Sequence, residues 1–169
     1  MSPLKKYDTF WPRFGAGLID GILFLPLMWG IFVLMKRSDT ALTFVPLFIL
    51  FQYAFISYSI VMHARYGQTL GKMATNVRVM DISERPLSPQ QAVMRDLPYL
   101  AILTVETVFG LLWAFEGGVP SIDLVVESNN VVFEYVDTGW FILEIVTMLF
   151  SEKRRALHDI IADSVVVRI

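Results

Sequence analysis

Four stretches of the chain are nearly free of charge, and polar segments separate them. The first is 14–35, FGAGLIDGILFLPLMWGIFVLM, and the second is 41–62, ALTFVPLFILFQYAFISYSIVM; the short turn KRSDT joins them. The third covers 97–115, LPYLAILTVETVFGLLWAF. The fourth, GWFILEIVTMLF, ends at Phe150 and is too short to cross a bilayer at the helical rise of about 1.5 Å per residue. Extended back to Val131 it reaches a spanning length and carries Glu134 and Asp137 to the outer interface; the alternative is a short, tilted or locally thinned span. Apolar runs of roughly 20 residues match the thickness of the hydrocarbon layer. Pro26 and Pro46 fall inside the first two, a placement that spans tolerate. The pattern predicts an all-α membrane protein: a four-helix transmembrane bundle in one domain over 1–169, with spans at about 14–35, 41–62, 97–115 and 131–150.

Two longer polar segments remain, 63–96 and 116–138. Within the first, Ser88, Pro89 and Gln91 form a helix-start signature, with Ser88 as N-cap, proline at the first helical position and Gln91 closing a capping box. The helix they begin is predicted to run through Arg95 into the third span. The segments NVRVMD (76–81) and SVVVRI (164–169) alternate apolar and polar residues. They can pair as two short β-strands, or each can be coil. No internal repeat stands out.

Charge then sets the orientation. Of the 14 Lys and Arg, 12 lie in the N-terminal tail, in 63–96 and in the C-terminal tail. The 116–138 segment has none, and carries Glu116, Asp123, Glu127, Glu134 and Asp137. Basic segments stay cytoplasmic. Four spans place every strongly basic segment on one side, whereas three would put the C-terminal tail opposite the basic loop. The expected topology is N-in and C-in with an acidic outer loop. The first run has no cleavage-site pattern after it and is expected to stay as a signal-anchor.

Composition removes several chemistries. Without cysteine there is no disulfide, zinc-thiolate site, iron–sulfur cluster or thiol nucleophile. Two histidines cannot build a three-histidine metal site. No G-x-S-x-G, P-loop, HExxH or GxGxxG occurs, so neither an enzyme of those classes nor a metal or cofactor is expected. The basic loop reads as a topology signal and lipid contact, with no nucleic-acid partner.

Three acids fall within the predicted spans. Asp20 and Glu144 lie about 9 Å from the cytoplasmic ends of their helices, and Glu106 about 14 Å along its own. An ionised acid at such depth must be paired, wetted or protonated. Two acids at matching depth can share a proton or a cation. The structural alternative is a hydrogen bond to a neighbouring helix, or to Thr104, Thr107 or Thr147. Gly17 and Gly21 frame Asp20 in a GxxxG spacing that permits close helix contact. Arg13 sits at the mouth of the first span, either as a snorkelling anchor or as a partner. It shares a helix face with Asp20, about 10 Å away along the axis, too far for a direct bond, but both could line one cavity. Asp159, in the C-terminal tail, could reach Arg13 or could be solvated. Its neighbour His158 would diverge from it by about 100° on a helix, so the two make no metal pair.

WPRFGAGLID, GQTLGKMATNVRVMD and RRALHDIIADSVVV, in this order along nearly the whole chain, resemble the RDD family of small bacterial membrane proteins. The family takes its name from one arginine and two aspartates, which map onto Arg13, Asp20 and Asp159. Asp163 and Ser164 stand where Gly-Thr is more typical, and the long acidic outer segment is particular to this chain. The resemblance implies a bacterial inner-membrane protein and a small transported ligand, in some members a monovalent cation exchanged for protons. Two functional expectations follow. In a transporter, Asp20 would bind the ion or proton, Glu144 and Glu106 would be further carriers, Arg13 would compete with the cation or gate the mouth, and Asp159 would position it. Four spans being few for alternating access, a homodimer would be expected. In a non-transporting scaffold or accessory subunit, the Arg–Asp cluster would be a structural clamp.

Overall fold

The computed structural model describes residues 6–116, 119–127 and 131–169. The chain is mostly helical. Its elements are α1 (Phe10–Lys36), α2 (Ala41–Tyr66), α3 (Leu70–Ala74), β1 (Val77–Asp81), α4 (Pro89–Ala114), α5 (Ile122–Glu127), α6 (Val131–Phe150), α7 (Leu157–Ile161) and β2 (Ser164–Arg168). Among the described residues three helices, α1, α2 and α4, are long and apolar enough to cross a membrane. α6 has 20 residues but carries Glu134, Asp137 and Glu144.

The long helices reach beyond the apolar runs. α1 begins at Phe10 and α2 continues to Tyr66, where Gly67 takes a left-handed conformation (φ 67°) and stops it. α4 starts with the capping box expected at Ser88, with Ser88 Oγ accepting from Gln91 N. Residues 89–96 are the first two turns of α4, the helix predicted to run through Arg95 into the third span. α5 was not foreseen: the segment 116–138 contains a six-residue helix whose Ile122 is buried with Phe44 and Phe48. Other parts of that segment, 117–118 and 128–130, lie outside the described residues.

Packing is densest at two levels. At one end Phe44 and Phe48 stack with centroids 5.8 Å apart, beside Ile31, Met35, Ala114 and Ile122. Gly110 leaves room for the Phe48 ring, whose Cζ would stand 2.6 Å from a Cβ there. At the other end β1 and β2 pair antiparallel, Val77 opposite Arg168 and Asp81 opposite Ser164. Val77, Val79 and Val166 bury against Leu87 and Ala92 of α4 and its approach. Arg168 Nε also donates to the Asp8 carbonyl at 2.7 Å, so both terminal segments meet at this end. Between these levels apolar side chains such as Leu18, Ile22, Leu25 and Trp29 point outward. That arrangement suits a lipid surround, where burial of apolar side chains gives helices little reason to close.

Candidate functional site

Asp159 is the hub of the polar cluster. It lies in the first turn of α7, fully buried, and its Oδ2 accepts from the Ala156 amide at 3.1 Å. Arg13 Nη1 approaches Oδ2 to 2.5 Å, and Arg95 Nη2 approaches Oδ1 to 3.1 Å. His158 Nε2 stands 3.3 Å from Oδ1. Burial alone would raise the Asp159 pKa, but Arg13, Arg95 and His158 outweigh it and hold the carboxylate well below its ordinary range. Arg13 is further fixed by Nε on Thr9 Oγ1 at 3.1 Å and Nη2 on the Arg154 carbonyl at 3.3 Å.

His158 extends the cluster to Glu144. Its Nδ1 lies 2.5 Å from Glu144 Oε2, and its backbone amide donates to Oε1 at 3.1 Å. Burial disfavours the imidazolium, yet Asp159 and Glu144 prevail and set the His158 pKa above its usual value. Nε2 also stands 2.7 Å from Arg95 Nη2. Only a neutral ring, protonated at Nδ1, can accept from that donor; a doubly protonated ring turns Nε2 to Asp159 instead.

Asp20 is buried but makes no contact with Arg13. Its Oδ1 accepts from the Tyr58 hydroxyl at 2.9 Å and from the Gly71 amide at 2.8 Å. Tyr58 Oη in turn accepts from Leu70 N at 2.8 Å. The start of α3, with Thr69 Oγ1 accepting from Lys72 N at 3.3 Å, therefore docks on α1 through an acid. Glycine is required at 71: a Cβ there would run into the Ala16 carbonyl and lie 2.9 Å from Asp20 Cγ.

A cavity of about 490 Å³ between α1, α2 and α4 joins the two groups, with Arg13, Asp20, Lys72, Arg95, Asp96 and His158 among its walls. Burial, and then the nearby Arg95 and Arg13 charges, lower the Lys72 pKa to about 7. The Asp96 carboxylate accepts from Ser59 at 3.2 Å. No cluster of three or more His, Asp or Glu suited to a metal occurs among the described residues.

Of the five residues singled out by sequence, Arg13, Asp159 and Glu144 come together. Asp20 borders the same cavity on separate partners. Glu106 stands apart with Asp137 in a pocket between α4 and α6. The threonines do not hold the acids: Thr104, Thr107 and Thr147 donate to carbonyls one turn back in their own helices. Sequence reasoning missed Arg95, Lys72 and Tyr58, and gave His158 no role. Arg95 was counted as a loop charge, although the capping box at Ser88 already placed it nearly two turns inside a helix.

The sequence profile of the RDD family matches residues 7–163. A Bacillus subtilis (strain 168) protein described as uncharacterized membrane protein YteJ is 25% identical over 171 residues, covering 95% of this chain and 80% of that protein. No solved structure matches the chain.

Proposed function

The chain belongs to the RDD family, and from that premise we propose that it exchanges a monovalent cation for protons across the bilayer, with the polar cavity as its binding chamber. The observation that carries this reading is the cavity itself, which brings Asp20 and Lys72 to one wall system. Near neutral pH Lys72 is poised to lose its proton. Protonated, it neutralises the Asp20 carboxylate; deprotonated, it leaves that carboxylate to hold a cation. Proton and cation then exclude each other because only one positive charge is balanced there. Arg13, clamped on Asp159, keeps a fixed positive charge at the mouth. Glu144 and Glu106 are further proton carriers in this scheme.

In this reading α6 is a fourth span, and the amino and carboxyl ends are cytoplasmic in a bacterial inner membrane, because 12 of the 14 basic residues then lie on one side. The working unit is a homodimer. The test is proton flux in proteoliposomes with a pH-sensitive dye and added Na⁺, K⁺ or Li⁺. Cation-dependent flux is expected from the wild type and not from Asp20→Asn. Folded, correctly inserted protein without flux would overturn the exchange reading.

A second reading is favoured by the closed Arg13–Asp159–His158–Glu144 chain, which needs no ligand to be complete on those four members. On it the protein is a membrane scaffold or accessory subunit and the cluster is a clamp. Preserved stability and insertion in Asp20→Asn, with no flux in either protein, supports it.

A further inference from the structure

We propose that the groove between α1 and α6, together with the cavity behind it, binds an anionic single-chain amphiphile, its tail in the groove and its acidic head on Arg95. α6 packs chiefly against α7 rather than against α1. The gap left between the long helices is a groove of about 380 Å³ whose walls include Phe14, Leu18, Phe141, Ile145 and Met148. Its polar end is made by Arg13, Glu144 and His158. Arg13, Gly17, Tyr99 and His158 line both this groove and the interior cavity, so the two adjoin along one side of α1. Gly17 leaves the passage open, since a Cβ there would meet nothing within 4 Å.

Arg95 supplies the reason for an anion. It is 4% exposed, and its Nη2 serves Asp159 and His158, but its buried Nη1 has no partner. A buried charged donor without an acceptor is costly, and a carboxylate or phosphate oxygen removes that cost. Lys72 adds a second cation on the same cavity. The carboxylates nearby accept hydrogen bonds from other donors than Arg95 Nη1, Asp20 from Tyr58 and Gly71 and Asp96 from Ser59, so this donor is left for an incoming anion. A groove that opens sideways between apolar helices and ends at arginine matches an acyl chain with a charged head, the combination that basic pockets between spans accept. The site goes beyond ion exchange and stands whether or not the chain carries ions.

The test is equilibrium binding of the fluorescent fatty acid cis-parinaric acid to the full-length protein in detergent, alongside its methyl ester and acetate. The acid is expected to bind saturably, and the ester about tenfold or more weakly, as loss of a charge-assisted hydrogen bond predicts. Acetate at the same concentrations should not compete, since it lacks the tail. Gly17→Leu, whose Cβ enters open space, is expected to weaken the acid by a similar factor at an unchanged melting temperature. Equal binding of acid and ester, or acid binding untouched in folded Gly17→Leu, would overturn the site. So would competition by acetate as strong as that by the long-chain acid. Because the readout is binding, a failure of ion flux leaves the result intact, and a failure of binding leaves the flux experiment intact.

Discussion

The Gly71 amide donates to the Asp20 carboxylate at 2.8 Å across 51 residues of sequence, so an acid inside the first long helix holds a five-residue helix that lies outside the apolar runs. The contact is so close that no side chain fits at Gly71. Gly71→Ala is expected to cost about 3 kcal/mol or more, the upper range for overpacking, because the obstacle is backbone rather than a flexible side chain. Thermal unfolding in detergent checks this. Gly17→Ala is the control and should lose nothing, since its new methyl group has open space.

Arg13 and Asp159 differ in what their removal leaves behind. Arg13→Ala leaves Asp159 with Arg95, His158 and the Ala156 amide. Its cost should fall at or below the low end of the ~3–5 kcal/mol seen on breaking buried pairs. Asp159→Asn leaves Arg13, Arg95 and His158 crowded around a neutral amide, and should cost more than Arg13→Ala. Chemical unfolding of the two variants side by side decides the order.

Lys72 gives a pH dependence of definite sign. Its folded pKa of about 7 lies below the unfolded value near 10.4, so the unfolded chain binds more protons between these limits. The penalty for keeping Lys72 charged is fully present below pH 7 and fades as pH rises towards 10. Lys72→Met should therefore raise the melting temperature most at pH 6 and least at pH 10. A constant difference across that range would show that Lys72 does not titrate in the fold.

His158 works in the opposite sense. Its folded pKa is raised, so its contribution is fully present below the unfolded value near 6.5 and is lost as pH climbs through the folded one. Glu144→Gln removes one of the two carboxylates that raise it. The His158 titration followed by NMR should then move to lower pH, and the alkaline loss of stability should begin earlier.

Much of this architecture is legible in the chain itself. Apolar run length against bilayer thickness is a one-dimensional quantity, so α1, α2 and the apolar part of α4 could be read directly. The start of α4 was equally local, because a capping box lies within four residues. The residues of 76–81 and 164–169 left strand and coil both open, and only the fold decides for strand by bringing Val77 opposite Arg168. The helix Ile122–Glu127 carries no local signal strong enough to announce it, and exists where Ile122 can bury against Phe44 and Phe48. Arg13, Asp159 and Glu144 of the polar cluster were legible as candidates, whereas Arg95 and His158, which join them, were not. Helix geometry placed Arg13 and Asp20 on one face, too far apart for a direct bond but able to line one cavity, and both do line it. Their partners were not legible: the tertiary structure gives Arg13 to Asp159 and Asp20 to Tyr58 and Gly71. Hydrogen bonds act over about 3 Å, and which groups come within that distance across 146 residues, as Arg13 and Asp159 do, depends on how helices, turns and strands assemble together.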